Sequence, residues 1–187
     1  LRKLSLVQSR SARIAFSPLN SAGMTNTLPI LKELGYDVTV LESQSKPDEN
    51  FPGAFQDYIN PEFEEVLAPT TKLGEEIGAD MAICTDPDGC RFAASFRTNI
   101  NSNKLTYITA NEIASVILHF ILSHLKEKGK IKKELLYIKT SASTSLATDI
   151  AKEFGISYVD DLFVGYKWIG QVVQKMNHPE NFVFSFE

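Results

Sequence analysis

The sequence predicts an α/β fold with mostly parallel sheets, divided into two small domains. Strand-like and helix-like stretches alternate along the whole chain, which is the pattern of helices laid over a parallel sheet. A polar stretch with three asparagines, residues 98–106, separates two groups of strand–helix units and places the boundary between domains 1–103 and 104–187. The 187 residues suffice for two such cores.

Arg13–Phe16 is short and apolar and reads as a first strand, ended by the loop Ser17-Pro-Leu-Asn-Ser-Ala-Gly23. A helix near Asn26–Leu34 stops at Gly35, the residue type suited to the left-handed turn beyond a helix end. Asp37–Leu41 is β-branched and reads as a strand, followed by a long loop from Glu42 to Asn60. Phe63, Val66, Leu67 and Thr70 share a helical face, then Leu73 and Ile77. Pro69 interrupts this run and predicts two short helices, with the proline in the first turn of the second. Met81–Cys84 reads as a buried strand.

In the second half, Thr109-Ala-Asn-Glu112 fits a capping box. Ile113, Val116, Ile117, Phe120, Ile121 and Leu125 then follow at helical spacing. Leu135–Lys139 reads as a strand, Leu146–Phe154 as a helix stopped by Gly155, and Ile156–Val159 as a strand. Trp168, Ile169, Val172, Val173 and Met176 stripe a last helix with its core face, and Asn181–Phe186 is a last strand.

Composition narrows the function classes. A net charge of −4 without a basic block argues against nucleic acid as a partner. The apolar stretch Ile113–Leu125 is too short and too polar to span a membrane. Arg2, Lys3, Arg10 and Arg13 give the start no signal-peptide pattern. The two cysteines, Cys84 and Cys90, form no C-x-x-C pair, and the expected compartment is the cytoplasm.

The sharpest local feature is Asp86-Pro-Asp-Gly-Cys-Arg91, just beyond a strand's C-terminal end, where ligands of parallel sheets collect. Two carboxylates two residues apart in a turn can point at one cation, and Mg2+ suits one or two carboxylates plus phosphate oxygens. The same hexapeptide also makes an ordinary solvated turn, and by itself leaves both readings open. His119, His124 and His178 occupy no motif. Ser141, Ser143 and Thr144 precede a helix and read as its cap, with phosphate binding at that N-terminus as the other option.

Several pieces in order resemble one family. Ser17-Pro-Leu-Asn-Ser-Ala-Gly23 resembles T-P-x-H-G-x-G. Pro47-Asp-Glu-Asn-Phe-Pro52 with Asn60-Pro-Glu62 resembles P-D-x-x-F-P and P-N-P-E. Gly78-Ala-Asp80 with Asp86–Arg91 resembles G-A-D and D-x-D-x-D-R. Asn111-Glu112 resembles G-N-E, Gly165-Tyr-Lys-Trp168 resembles G-F-K-W, and Phe184-Ser-Phe-Glu187 resembles the entry to an F-x-x-E-E-S loop. Together these resemble the two middle domains of the α-D-phosphohexomutases, the phosphoglucomutase/phosphomannomutase family.

The resemblance implies two small three-layer α/β/α domains with mainly parallel, mixed sheets. The first would carry the metal loop and the second a sugar-binding loop cut short at the C-terminus. It implies reversible transfer of phosphate between the 1- and 6-positions of a hexose through a phosphoserine and a hexose bisphosphate. Asp86 and Asp88 then match Mg2+ ligands, and Arg91 a phosphate-facing cation. Lys167 matches a substrate-contacting lysine that helps move a proton, with Gly165 beside it, and Glu187 matches an acid that holds sugar hydroxyls. The serine would belong to a preceding domain and a phosphate-binding loop to a following one. The chain is therefore expected to be a fragment, inactive alone, with hexose phosphate, hexose bisphosphate and those two domains as partners.

The pattern departs at two positions, and the sequence holds no T-x-S-H-N-P-like serine loop. Cys90 stands at the third ligand position, and Asn20 at a histidine of the first loop. Two other readings follow. A haloacid-dehalogenase-type phosphatase would use Asp86 as nucleophile and Asp88 as acid/base, with Asp160 and Asp161 as its downstream acids. A degenerate mutase relative would bind sugar phosphate without turning it over.

Overall fold

The computed structural model describes residues 11–53, 55 and 58–187. Arg2, Lys3 and Arg10 lie outside the described residues. The chain forms two compact units, up to Ala110 and from Asn111.

In the first unit the elements are β1 (Arg13–Ser17), α1 (Thr27–Glu33), β2 (Asp37–Val40), α2 (Glu64–Ile77), β3 (Met81–Thr85), β4 (Phe92–Phe96) and β5 (Thr106–Ile108). They build one sheet in the order β2-β1-β3-β4-β5. β2 and β3 run parallel to β1, with Ala15 opposite Thr39 on one side and Ala82 on the other. β4 and β5 are antiparallel additions. From β1 the chain passes over α1 to one side and later returns over α2 to the other. Right-handed crossovers in opposite directions put the two helices on opposite faces. Val66 and Leu67 of α2 pack with Cys84 and Ala93, while Leu73 and Ile77 pack with Ala15 and Ala82. Small residues on both sides set that close approach. A Cβ at Gly74 would lie 2.6 Å from Leu105 Cδ1 and 3.4 Å from the Ala15 Cβ.

Three expectations change here. Residues 64–77 form one helix, not two, with Pro69 inside it. Pro69 and its neighbour Ala68 are exposed, so the Glu65 carbonyl that loses its intrahelical N–H faces water, and burial of the opposite face keeps the helix intact. β4 carries no strand signal in the sequence, because Phe-Ala-Ala-Ser-Phe is dominated by small residues. It is held by pairing, with Ala93, Ala94 and Ser95 buried. β5 falls at the end of the polar stretch and adds only three residues to the sheet.

The second unit comprises α3 (Ala110–Glu127), β6 (Leu136–Thr140), α4 (Ser145–Glu153), β7 (Ser157–Leu162), α5 (Tyr166–Gln174) and β8 (Phe182–Phe186). Helix α3 begins directly after Thr109, as the capping sequence predicts. The all-parallel order β7-β6-β8 again reverses the direction of crossover, so α4 and α5 cover opposite faces. Leu118 and Leu122 of α3 join Tyr137 of β6 and Ala147 and Ala151 of α4 in one core. β7 runs three residues past the expected Val159 and so contains Asp160 and Asp161. Both units are thus mixed or parallel sheets between helical layers, the expected fold class. Trp168 is half-buried, whereas Ile169 of the same stripe lies in the core.

Candidate active site

In the first unit the two adjacent strands β1 and β3 send their chains in opposite directions. The crevice at the carboxyl ends of such strands is where open α/β sheets bind ligands. Two loops meet there. Ser21 Oγ donates to the Pro87 carbonyl at 2.8 Å and the Ala22 N–H to the same oxygen at 3.3 Å. Gly23 is required by this approach, because a Cβ would lie 2.6 Å from Thr85 Oγ1 and 3.1 Å from the Pro18 backbone.

The 86–91 loop closes on itself. The Asp86 N–H donates to the Arg91 carbonyl at 3.2 Å, and the Gly89 N–H to the Asp86 carbonyl at 3.1 Å. Asp86 is 5% exposed and its carboxylate is held from two sides, by the Arg91 N–H at 3.0 Å and the Cys90 thiol at 3.5 Å. Asp88 accepts the Cys90 N–H at 3.1 Å, and this bond and the thiol hold its carboxyl below the usual range. The Cys90 thiol is pushed up to about 11 by its hydrogen bond to Asp88, then by burial and by the Asp86 charge. One ligand atom each from Asp86, Asp88 and Cys90 lies within 4.8 Å of the other two. The two carboxylates fit a hard cation such as Mg2+, while the sulfur does not. Arg91 is exposed beside them.

The neighbouring loop holds groups that motif reading passes over. Asn20, with φ +57°, is buried and donates through Nδ2 to the Lys46 carbonyl at 2.9 Å. Ser17 is hydrogen-bonded to Gln44 inside the core. Asn20 Oδ1 and Thr85 Oγ1 are buried with no hydrogen-bond partner among the described residues. No sequence spacing distinguishes Thr85 or Gln44, because their role comes from the crevice and not from a local pattern.

In the second unit Gly165 follows β7 and Glu187 follows β8, so the two flank the end of the central strand β6. The Gly165 N–H donates to the Glu187 carboxylate. Gly165 sits at φ +127°, a conformation that side-chain-bearing residues rarely adopt. Lys167 is exposed, with Nζ 4.7 Å from the centroid of the Trp168 ring. Thr144 caps α4 by accepting the Leu146 N–H at 3.2 Å, which answers the capping reading of that segment. The structure therefore groups Asp86, Asp88, Cys90 and Arg91 in one unit and Gly165, Lys167 and Glu187 in the other.

The fold and the sequence of the chain have known counterparts. Residues 2–99 match the family described as phosphoglucomutase/phosphomannomutase, alpha/beta/alpha domain II. The chain is similar to a phosphomannomutase of Mycoplasma genitalium, 31% identical over 179 residues that cover 95% of this chain and 30% of that protein. It is also similar to a phosphoglucomutase of Staphylococcus aureus (strain MRSA252), 25% identical over 176 residues, or 94% and 30% of the two chains. In fold it resembles a phosphoglucomutase/phosphomannomutase family protein of Burkholderia thailandensis, with a TM-score of 0.70 at 16% identity over 89% of this chain and 32% of that one. It also resembles an Aspergillus fumigatus N-acetylphosphoglucosamine mutase in complex with glucose 1,6-bisphosphate, with a TM-score of 0.52 at 14% identity over 90% and 31%. The chain belongs to the phosphoglucomutase/phosphomannomutase family. It spans about 30% of the length of the curated relatives it matches. The family match includes the Asp86 loop, which leaves the haloacid-dehalogenase reading without support.

Proposed function

We propose that this chain supplies the metal loop and the sugar-binding loop of a phosphohexomutase that interconverts hexose 1-phosphate and hexose 6-phosphate. The observation that carries this is the convergence of Asp86 and Asp88 in the crevice beyond β3, within a segment that matches the family. In this reading residues up to 103 are the metal-loop domain and residues from 104 the sugar-binding domain. The hexose bisphosphate in the Aspergillus relative supports the same ligand class here.

Phosphoryl transfer is mainly positioning plus neutralisation of charge. A divalent cation, Mg2+ in the simplest case, would be held by Asp86 and Asp88 and would neutralise charge on a phosphoserine contributed by another domain. The buried Asp86 keeps one orientation because the Arg91 N–H fixes it, so the loop is preorganised. Arg91 presents a permanent cation to phosphate. Glu187, held by the Gly165 N–H, accepts from sugar hydroxyls, and Lys167 approaches the substrate and takes part in proton movement.

The test is the full-length protein's interconversion of mannose and glucose 1- and 6-phosphates. Turnover that falls at least tenfold in Asp86→Ala supports the proposal. No turnover by a folded full-length protein, with turnover restored by Cys90→Asp, would instead favour the degenerate relative.

A further inference from the structure

The crevice beyond β3 mixes two hard carboxylates with one soft sulfur, and that mixture discriminates among cations. Mg2+ demands oxygen ligands in near-octahedral geometry and takes no thiolate. Zn2+ and Co2+ accept sulfur and oxygen together and tolerate a four-coordinate site. We propose that Asp86, Asp88 and Cys90 form a site for a thiophilic divalent cation of the Zn2+ or Co2+ class, with Cys90 as a thiolate ligand. The proposal rests on the reading of this loop as a cation site and changes the identity of its cation.

The geometry supports it in three ways. Cys90 Sγ lies 3.5 Å from an Asp86 carboxylate oxygen. Metal–sulfur and metal–oxygen bonds of about 2.3 and 2.1 Å at a tetrahedral angle would separate S and O by roughly 3.6 Å. The Asp88 oxygen completes a set of three ligand atoms within 4.8 Å of one another, so closing them on one ion needs only small side-chain rotations. The outer contacts are also in place. The other Asp86 oxygen is held by the Arg91 N–H at 3.0 Å, and Asp88 by the Cys90 N–H at 3.1 Å. Such partners orient ligands before the ion arrives. On binding, the S–H bond of Cys90 breaks, its proton leaves to solvent, and a sulfur–metal bond forms. Three protein ligands leave a fourth position for an exogenous oxygen, such as one from phosphate. The other cysteine, Cys84, is fully buried in the sheet and is not part of this set.

The experiment is a Co2+ titration of the 187-residue chain followed by absorption, then competition with Zn2+ and with Mg2+. Cys90→Ser, Cys90→Asp and Asp86→Asn are run in parallel. The expected result is a saturable sulfur-to-cobalt charge-transfer band that Zn2+ removes and that is absent in Cys90→Ser. In Cys90→Asp, Co2+ binds without the band, and the preference for Zn2+ over Mg2+ falls. Saturable Co2+ binding without the band, lost in Asp86→Asn, would overturn the thiolate and leave an oxygen-only cation site. A band that survives in Cys90→Ser would assign the sulfur elsewhere and also overturn it. No cation binding by either the parent chain or Cys90→Asp would overturn the cation-site reading itself.

Discussion

Lys139→Met offers the clearest separation between a residue that holds the second unit together and one that merely sits in it. Lys139 lies in the central strand β6 and is 5% exposed. Its ammonium donates to three carbonyls, those of Thr140 at 3.2 Å and of Ser143 and Asp160 at 3.1 Å. The sequence register explains why these acceptors are available. Ile138 pairs with Val159 and Thr140 with Leu162, so Lys139 alone faces Asp160 and Asp161 across a β-bulge. A bulge leaves ladder groups unpaired, and the ammonium satisfies one of them together with the turn that leads into α4. Methionine keeps the apolar stem and removes all three bonds. Hydrogen bonds to a charged group contribute about 1.5–3 kcal/mol each, partly offset here by relief of the ammonium's desolvation, which leaves a net loss of about 3 kcal/mol. For a domain of this size that is a fall in Tm of about 12–24 °C. The assay is thermal and urea unfolding followed by fluorescence of Trp168, the single tryptophan, which lies in the same unit. The exposed Lys152, paired to Asp149 at 3.1 Å, is the control, and Lys152→Met changes stability by less than about 0.5 kcal/mol. A Lys139→Met protein within about 0.5 kcal/mol of the parent would refute the reasoning.

Three further outcomes follow from named contacts. Pro69→Ala restores an intrahelical N–H on the exposed face of α2 and stabilises the first unit by about 1–3 kcal/mol, read as slower amide exchange in that helix; unchanged exchange would contradict this. Gly165→Ala meets no steric obstacle nearer than 3.7 Å, yet costs about 1–3 kcal/mol through its positive φ; calorimetry with glucose 1,6-bisphosphate should show weaker binding, and equal affinity would separate this loop from the sugar. Cys84, fully buried and pushed up to about 12 by that burial, alkylates only on unfolding. Cys90 reacts in the native state, but slowly near neutral pH, because its raised value of about 11 keeps it protonated. Its rate climbs with pH toward that value, and Asp88→Asn, by weakening the first cause of the shift, increases the rate at about pH 8. A lower rate in that variant would contradict the assignment.

The alternation of strands and helices was legible because burial imposes it residue by residue. Ala15, Phe16, Ala82 and Cys84 are fully buried in the segments that read as strands. The α3 helix was legible from its period, but its buried face is Ile113, Leu118 and Leu122, while Val116 and Phe120 of the expected stripe are exposed. What escaped depended on partners far away in sequence. Phe92-Ala-Ala-Ser-Phe96 is a strand because β3 and β5 pair with it, and Pro69 is tolerated because its side of α2 faces water. The Asp86–Arg91 loop was legible as a motif, as was the grouping of Gly165 with Lys167. The contact between Gly165 and Glu187, 22 residues apart, needs the β7-β6-β8 order to bring two strand ends together. The pairing of the Ser17–Gly23 loop with Pro87 likewise comes from the parallel register of β1 and β3, which neither segment encodes alone.

The most direct test of the account is an NMR titration of the chain with Zn2+ and then Mg2+, following the backbone amides of residues 84–92, with Asp86→Ala as control. The account predicts saturable shifts confined to this loop and its Ser21–Gly23 neighbour, abolished in the control. An absence of shifts up to millimolar metal, or shifts that persist in Asp86→Ala, would contradict the assignment of the β3 crevice as the cation site of a phosphohexomutase.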